Sequence, residues 1–257
     1  MPLELFTGIS GAIASFLSGL LGIGGGIVLS PLLLYGPGML AAPALSVKII
    51  TGLTIVQAIS GTALGTLRHN RYGNVSGRLV RVMGPTTAVA SLTGALLSRY
   101  TPDRLLLGIL ALFAIIGAAA LFLPPRGPER EPADLNVRLA VGLAAVIGFL
   151  GGMVGMGAAA FIVAGLIYLL RVPVRTAIGT SLAIGLFAAV AGFIGKAATA
   201  QVDPVLAAIV FIAALAAAPV GAAISQRTRP RVLMLLLAGV VAIAGLRMAW
   251  QAIVEMA

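Results

Sequence analysis

Five glycines fall within eight residues in the run Gly19-Leu20-Leu21-Gly22-Ile23-Gly24-Gly25-Gly26, inside an apolar stretch from Phe6 to Leu34. Glycine costs about 1 kcal/mol per helix position relative to alanine, so such a run opens a helix. At membrane depth, open backbone survives only where protein buries it or where it lines a wet cavity. The N–H groups freed at the start of the next half-helix carry the positive end of its dipole. The backbone at Gly22, Gly24, Gly25 and Gly26 is thus a candidate anion site with no charged side chain. A weaker copy, Gly151-Gly152-Met153-Val154-Gly155-Met156-Gly157, offers Gly155 and Gly157 in the same role. Two such breaks, one per half of a chain, point to a transporter binding site. Small residues four apart, such as Gly11, Ser15 and Gly19, also serve close helix packing. Packing, however, needs one small residue per turn and not three consecutive glycines.

An anion in such a site also wants hydroxyls and a cation. Thr51 and Thr54 share a helix face, and Gln57 extends it by another three residues. Thr180 and Ser181 hold the matching place after the second break. The alternative for each hydroxyl is a bond back to its own helix. Lys48 precedes Thr51 by one turn, near the start of an apolar helix. Two readings of it are open: an intramembrane cation with a function, or a lysine reaching to the interface. Lys196 ends its apolar stretch and is expected to reach the interface. His69, the one histidine, lies among Arg68, Asn70 and Arg71 and reads as loop surface.

The elements that must carry these residues are membrane helices. Hydrophobic residues make up 60% of the chain and charged residues 9%, which excludes a soluble domain. With no cysteine, disulfides and thiolate metal sites are excluded, and neither metal nor cofactor is expected. Met1-Pro2-Leu3-Glu4 lacks the basic start of a removable signal. Eight apolar stretches, roughly 8–35, 45–67, 79–98, 104–123, 137–170, 176–198, 203–224 and 231–254, are long enough to span a bilayer. The first and fifth carry the breaks. A proline-rich charged linker, 124–136, separates an N-terminal repeat, 1–123, from a C-terminal repeat, 137–257. The halves echo each other: Gly19, Gly22 and Gly24 match Gly152, Gly155 and Gly157, and Leu45–Leu53 matches Val174–Leu182 with Thr51 over Thr180.

Charge decides how the halves are oriented. If every stretch crosses once, the 17 lysines and arginines divide almost evenly between the two sides, against the usual bias of membrane proteins. If the first and fifth stretches fold back at their glycines, one side gathers Arg68, Arg71, Arg78, Arg81, Arg126, Arg130, Arg138, Arg171, Arg175, Arg227, Arg229 and Arg231. The other keeps Lys48, Arg99, Arg104, Lys196 and Arg247. That parity makes the fold all-α, with two inverted repeats. Each is a glycine-broken hairpin plus three transmembrane helices, with up to ten helical segments in all, and the linker is cytoplasmic.

With those residues in place, the sequence resembles the sulfite exporter TauE/SafE family. The resemblance rests on Ser18 to Gly26 with Ser30-Pro31-Leu32-Leu33 behind it, on the echo at Gly151 to Gly157, and on Ala177-Ile178-Gly179-Thr180-Ser181-Leu182. The turn Arg71-Tyr72-Gly73-Asn74-Val75 adds to it. The resemblance implies export of sulfite or a related sulfur oxyanion or organosulfonate from the cytoplasm, in the cell inner membrane. The second copy departs from the first with Ala158, Ala159 and Ala164 in place of Gly25, Gly26 and Pro31.

Other classes fit less well. Every carboxylate falls at an end or loop, so no mid-membrane relay of the kind proton pumps use is present. Export is expected to run on the membrane potential. An enzyme is not expected, because the histidine is in a loop and no aspartate is mid-membrane. Nucleic acid is not an expected partner, since the arginines sit in short loops. The alternatives are a permease for another small anion and a non-transporting scaffold. A homodimer is compatible with the composition.

Overall fold

The computed structural model describes residues 2–21, 26–39, 45–122 and 136–225. These hold helices α1 (Leu3–Leu21), α2 (Gly26–Met39), α3 (Val47–Arg71), α4 (Gly77–Leu97), α5 (Asp103–Phe122), α6 (Val137–Val154), α7 (Ala159–Tyr168), α8 (Val174–Ala198) and α9 (Pro204–Ser225), with no strand among the described residues. Four of them, α3, α6, α8 and the Pro204–Gly221 part of α9, are long and apolar enough to cross a membrane. The first apolar stretch is two helices, α1 and α2. The fifth is α6 and α7. Stretch 231–254 and linker residues 124–135 lie outside the described residues.

Short polar side chains set where the helices start. Ser46 Oγ accepts from the Ile49 N–H, Ser76 Oγ from Leu79, and Asn136 Oδ1 from Leu139. Asp203 Oδ1 takes both Val205 and Leu206 N–H at the head of α9. Each cap satisfies a donor that the first helical turn leaves open, a contribution of about 1 kcal/mol.

The packing between helices depends on small residues. Of the four candidate spans, α3 and α8 are the most buried, and they pack against each other. On α4, Thr87, Ser91 and Gly94 meet α6 at Gly148, Gly152 and the Phe149 carbonyl, so that a Cβ on any of the three glycines would strike backbone. On α1, Gly11 lies against Val210 and Ala213 of α9. Close packing thus accounts for Gly11 and Gly152. At Gly155 and Gly157, where the helix ends, a positive φ adds a second requirement for glycine.

The two ends of the bundle differ in charge. Exposed Arg68, Arg71, Arg78, Arg81, Arg138, Arg171 and Arg175 share one end, which we call the arginine end. The hydrogen bond from Ser76 N to Thr180 Oγ1 joins the α3–α4 turn to the start of α8, and Ala140, Leu79, Leu170 and Val172 share one cluster. Lys48, Arg99, Arg104 and Lys196 lie at the opposite, mixed end. The described carboxylates are there too: Glu4 on α1, whose Phe6 clusters with Leu206 of α9, together with Asp103 and Asp203. A single crossing by the fifth stretch would have put Arg171 and Arg175 opposite Arg68. The α6–α7 break returns them to the same end.

Among the described residues, the two longest helices carry early glycines at like positions. Helices α3 and α8 each have 25 residues. Gly52 stands five residues after Val47, and Gly179 five after Val174. A Cβ on Gly52 would strike the Gln201 carbonyl, and one on Gly179 the Asn74 carbonyl. Gly52 and Gly179 thus make like contacts, each with the turn that follows the other helix.

Candidate functional site

Helix α6 stops at Gly155, whose φ of 72° lets its N–H turn back to the Gly151 carbonyl. Gly157 follows at φ 67° and Ala158 at φ 57° before α7 begins. Left-handed backbone is free for glycine and costs roughly 1–2 kcal/mol for alanine. The break is pressed into α3. A Cβ on Gly155 would strike the Thr51 carbonyl and lie 2.9 Å from Thr54 Oγ1, and one on Gly157 would lie 2.6 Å from Ala58 Cβ. Gly26, which opens α2, packs against the same break: a Cβ there would sit 3.1 Å from Met156 Cα. The start of α2 and the α6–α7 break therefore meet directly.

Beside this junction is Lys196, 0% exposed. Its Nζ donates to Thr51 Oγ1 at 2.9 Å, Ser98 Oγ at 2.8 Å, the Met153 carbonyl at 2.8 Å and Gln201 Oε1 at 2.9 Å. An ammonium has three N–H bonds, so four acceptors share them. The protons around the cage are accounted for. Thr51 gives its own to the Lys48 carbonyl, and Gln201 Nε2 donates to Thr199 Oγ1 and the Ala95 carbonyl. All four acceptors are neutral. The positive charge is solvated by dipoles, with no carboxylate partner among the described residues. Taking a charge out of water costs several kcal/mol, and an anion brought close would offset that cost.

The elements explain how the lysine is covered. Gly192 and Gly195, on the approaching turn of α8, admit Ile55, Ser91 and Ala95 close to the helix. The turn after α8 passes through Ala200 at φ 55° and bonds Gln201 N back to the Lys196 carbonyl. That turn folds Gln201 over the ammonium. The expectation that Lys196 reaches the interface is thus corrected: it is enclosed by α3, α4, α6 and its own turn. Lys48 is instead partly exposed at the mixed end and donates to the Arg99 carbonyl at 2.8 Å, where it caps the end of α4.

The other candidates divide between the site and its surroundings. Gly22, Gly24 and Gly25 lie outside the described residues. Gly26, Gly155, Gly157, Thr51 and Thr54 come together around the break. Thr54 donates to the Thr51 carbonyl at 3.0 Å, a bond back to its own helix. Gln57 Nε2 donates to Ser15 Oγ at 2.9 Å, tying α3 to α1. Thr180 and Ser181 are buried near the arginine end, away from Lys196. Thr180 accepts from Ser76 N, and Ser181 donates to the Ile178 carbonyl. Sequence reasoning missed Ser98, Gln201 and the role of Lys196. Their signal was a lysine four residues after Gly192, followed closely by a glutamine at the head of the next turn.

The sequence matches the family described as sulfite exporter TauE/SafE over residues 7–248. Relatives include the probable membrane transporter protein YdhB of Bacillus subtilis, 33% identical over 62% of this chain and 66% of that protein, just under two thirds of its length. YjnA of the same organism, also a probable membrane transporter protein, is 24% identical over 93% of this chain and 97% of its own. A probable membrane transporter protein of Methanocaldococcus jannaschii is 23% identical over 93% of both chains. No solved structure matches. With four membrane-spanning candidates among its described residues, a broken helix at a buried cation and a match over nearly its whole length, the chain belongs to the sulfite exporter TauE/SafE family of membrane transporters.

Proposed function

We propose that this transporter exports sulfite, or a related sulfur oxyanion or organosulfonate, across the cell inner membrane. The anion binds where the start of α2 meets the α6–α7 break, and Lys196 is its counter-charge. The observation that carries the reading is the enclosed ammonium on four neutral acceptors beside that junction. At about 4 Å and an effective dielectric near 20, one negative charge would gain roughly 4 kcal/mol from it. Gly26, Gly155 and Gly157, with Gly22, Gly24 and Gly25 just before α2 in sequence, would supply backbone, and Thr51 and Thr54 the hydroxyl side. Lys48 would guide anions at the mixed end.

In this reading the two halves are inverted copies. What supports it is that α3 and α8 run in opposite directions with matched glycines, and that α1 lies on α9 as α6 lies on α4. The arginine end would be cytoplasmic, by the preference of basic loops for that side. Outward movement of an anion then gains ~2.3 kcal/mol per charge per 100 mV of inside-negative potential. The test is sulfite efflux from proteoliposomes under an imposed potential, comparing wild type with Lys196→Met. Efflux in wild type and a loss of at least tenfold in a folded Lys196→Met protein are expected. Undiminished efflux in the variant would remove Lys196 from the site, and no efflux of any sulfur anion would end the reading.

A further inference from the structure

One face of α3 runs past the break from end to end. Thr51, Thr54, Ala58, Thr62, Thr66 and His69 recur at intervals of three and four, which places them along a single stripe. Thr51 touches Lys196, Thr54 borders Gly155, and Ala58 borders Gly157. From Thr51 to His69 the helix rises roughly 27 Å, close to the thickness of a hydrocarbon core. The stripe therefore joins the Lys196 cage to the arginine end.

The polar groups along it are treated differently. The hydroxyls of Thr51, Thr54 and Thr62 each bond to a carbonyl of their own helix. Thr66 Oγ1 and His69 Nδ1 are buried atoms with no hydrogen-bond partner among the described residues. They stand one turn apart at the arginine end. Buried polar atoms are nearly always paired, so two orphans on one face call for an explanation. Thr66 could have bonded back to its helix as Thr62 does, and it does not. His69 is held in place from the other side: a Cβ on Gly179 of α8 would lie 3.1 Å from its Cβ. Arg68 and Arg71 flank it in sequence and give the surrounding surface a positive field.

We infer that Thr66 and His69 form a second subsite, taking a small oxyanion at the arginine end before it moves along α3 to Lys196. The Thr66 hydroxyl and a proton on His69 Nδ1 each donate to an anion oxygen. The inference rests on the transport reading above and adds a separate binding position to it.

His69 is the single histidine of the chain, which makes it a unique reporter. The full-length protein, carrying a tag without histidine, is labelled on its imidazole and titrated with sulfite in detergent. Sodium chloride of equal ionic strength is the control. A saturable shift of the one imidazole resonance is expected with sulfite and not with chloride. Thr66→Val should raise the half-saturating sulfite concentration by roughly tenfold. Lys196→Met should leave the shift in place. A wild type that sulfite protects against heat without any saturable movement of His69 overturns the second subsite and spares the transport reading. A shift lost in folded Lys196→Met shows one site instead of two. If sulfite neither protects nor shifts, both inferences fall.

Discussion

Lys196 stands two residues before the end of α8, and His69 two residues before the end of α3. Both helices have 25 residues, both press an early glycine against the carbonyl of the other's following turn, and both end beside that turn. The mixed end is closed. Its cation is covered by Gln201 and meets four acceptors. The arginine end is less complete, since the imidazole keeps a buried nitrogen without a partner among the described residues. One backbone arrangement thus carries two chemistries, and the difference lies in side chains that the turn either supplies or withholds.

The strongest way to break the comparison is to apply the same steric insult at both ends. Gly52→Ala and Gly179→Ala each drive a methyl into a loop carbonyl. Both should destabilise the protein by about 1–3 kcal/mol or more, read as thermal unfolding in detergent. Flux should fall further in Gly52→Ala, because its loop carries Gln201. Equal flux loss at equal stability would show that the two ends are functionally alike. A gentler comparison uses the two buried threonines. Thr51→Val removes an acceptor from Lys196, whereas Thr180→Val removes one from the Ser76 N–H. Each should cost about 1 kcal/mol of stability, but only the first should weaken protection by sulfite. The smallest effect concerns the break itself. Ala158→Gly relieves left-handed strain while giving up a buried methyl, so the net change should stay within roughly 1 kcal/mol. A loss well above that in calorimetry would mean that the Ala158 methyl is a packing element of the junction.

The second break was legible because glycine at φ near 70° has few substitutes, so Gly155 and Gly157 announce a turn inside an apolar run. The sorting of charge was legible because arginines in short loops obey a bias that only a folded-back fifth stretch satisfies. Lys196 was not. A lysine two residues from a helix end reads as interfacial in any linear scan. What buries it is a turn with Ala200 in left-handed backbone, plus Ser98 from a helix about a hundred residues earlier. The contacts of Gly52 and Gly179 with loop carbonyls were also hidden, since each is made to a turn more than a hundred residues away in sequence. The hydroxyls of Thr54 and Ser181 proved to bond their own helices.

The cage around Lys196 takes Thr51 and Ser98 from before the central linker, and Met153, Gln201 and the lysine itself from after it. During synthesis the first portion must wait in the bilayer, with Thr51 and Ser98 already placed, until the rest emerges. The α6–α7 hairpin can then slide in as one piece, since no charged residue lies between Arg138 and Arg171. A chain cut at the linker holds only part of the cage, and so does the fragment that follows it. The cage around Lys196 is complete only where both portions are brought together in one assembly.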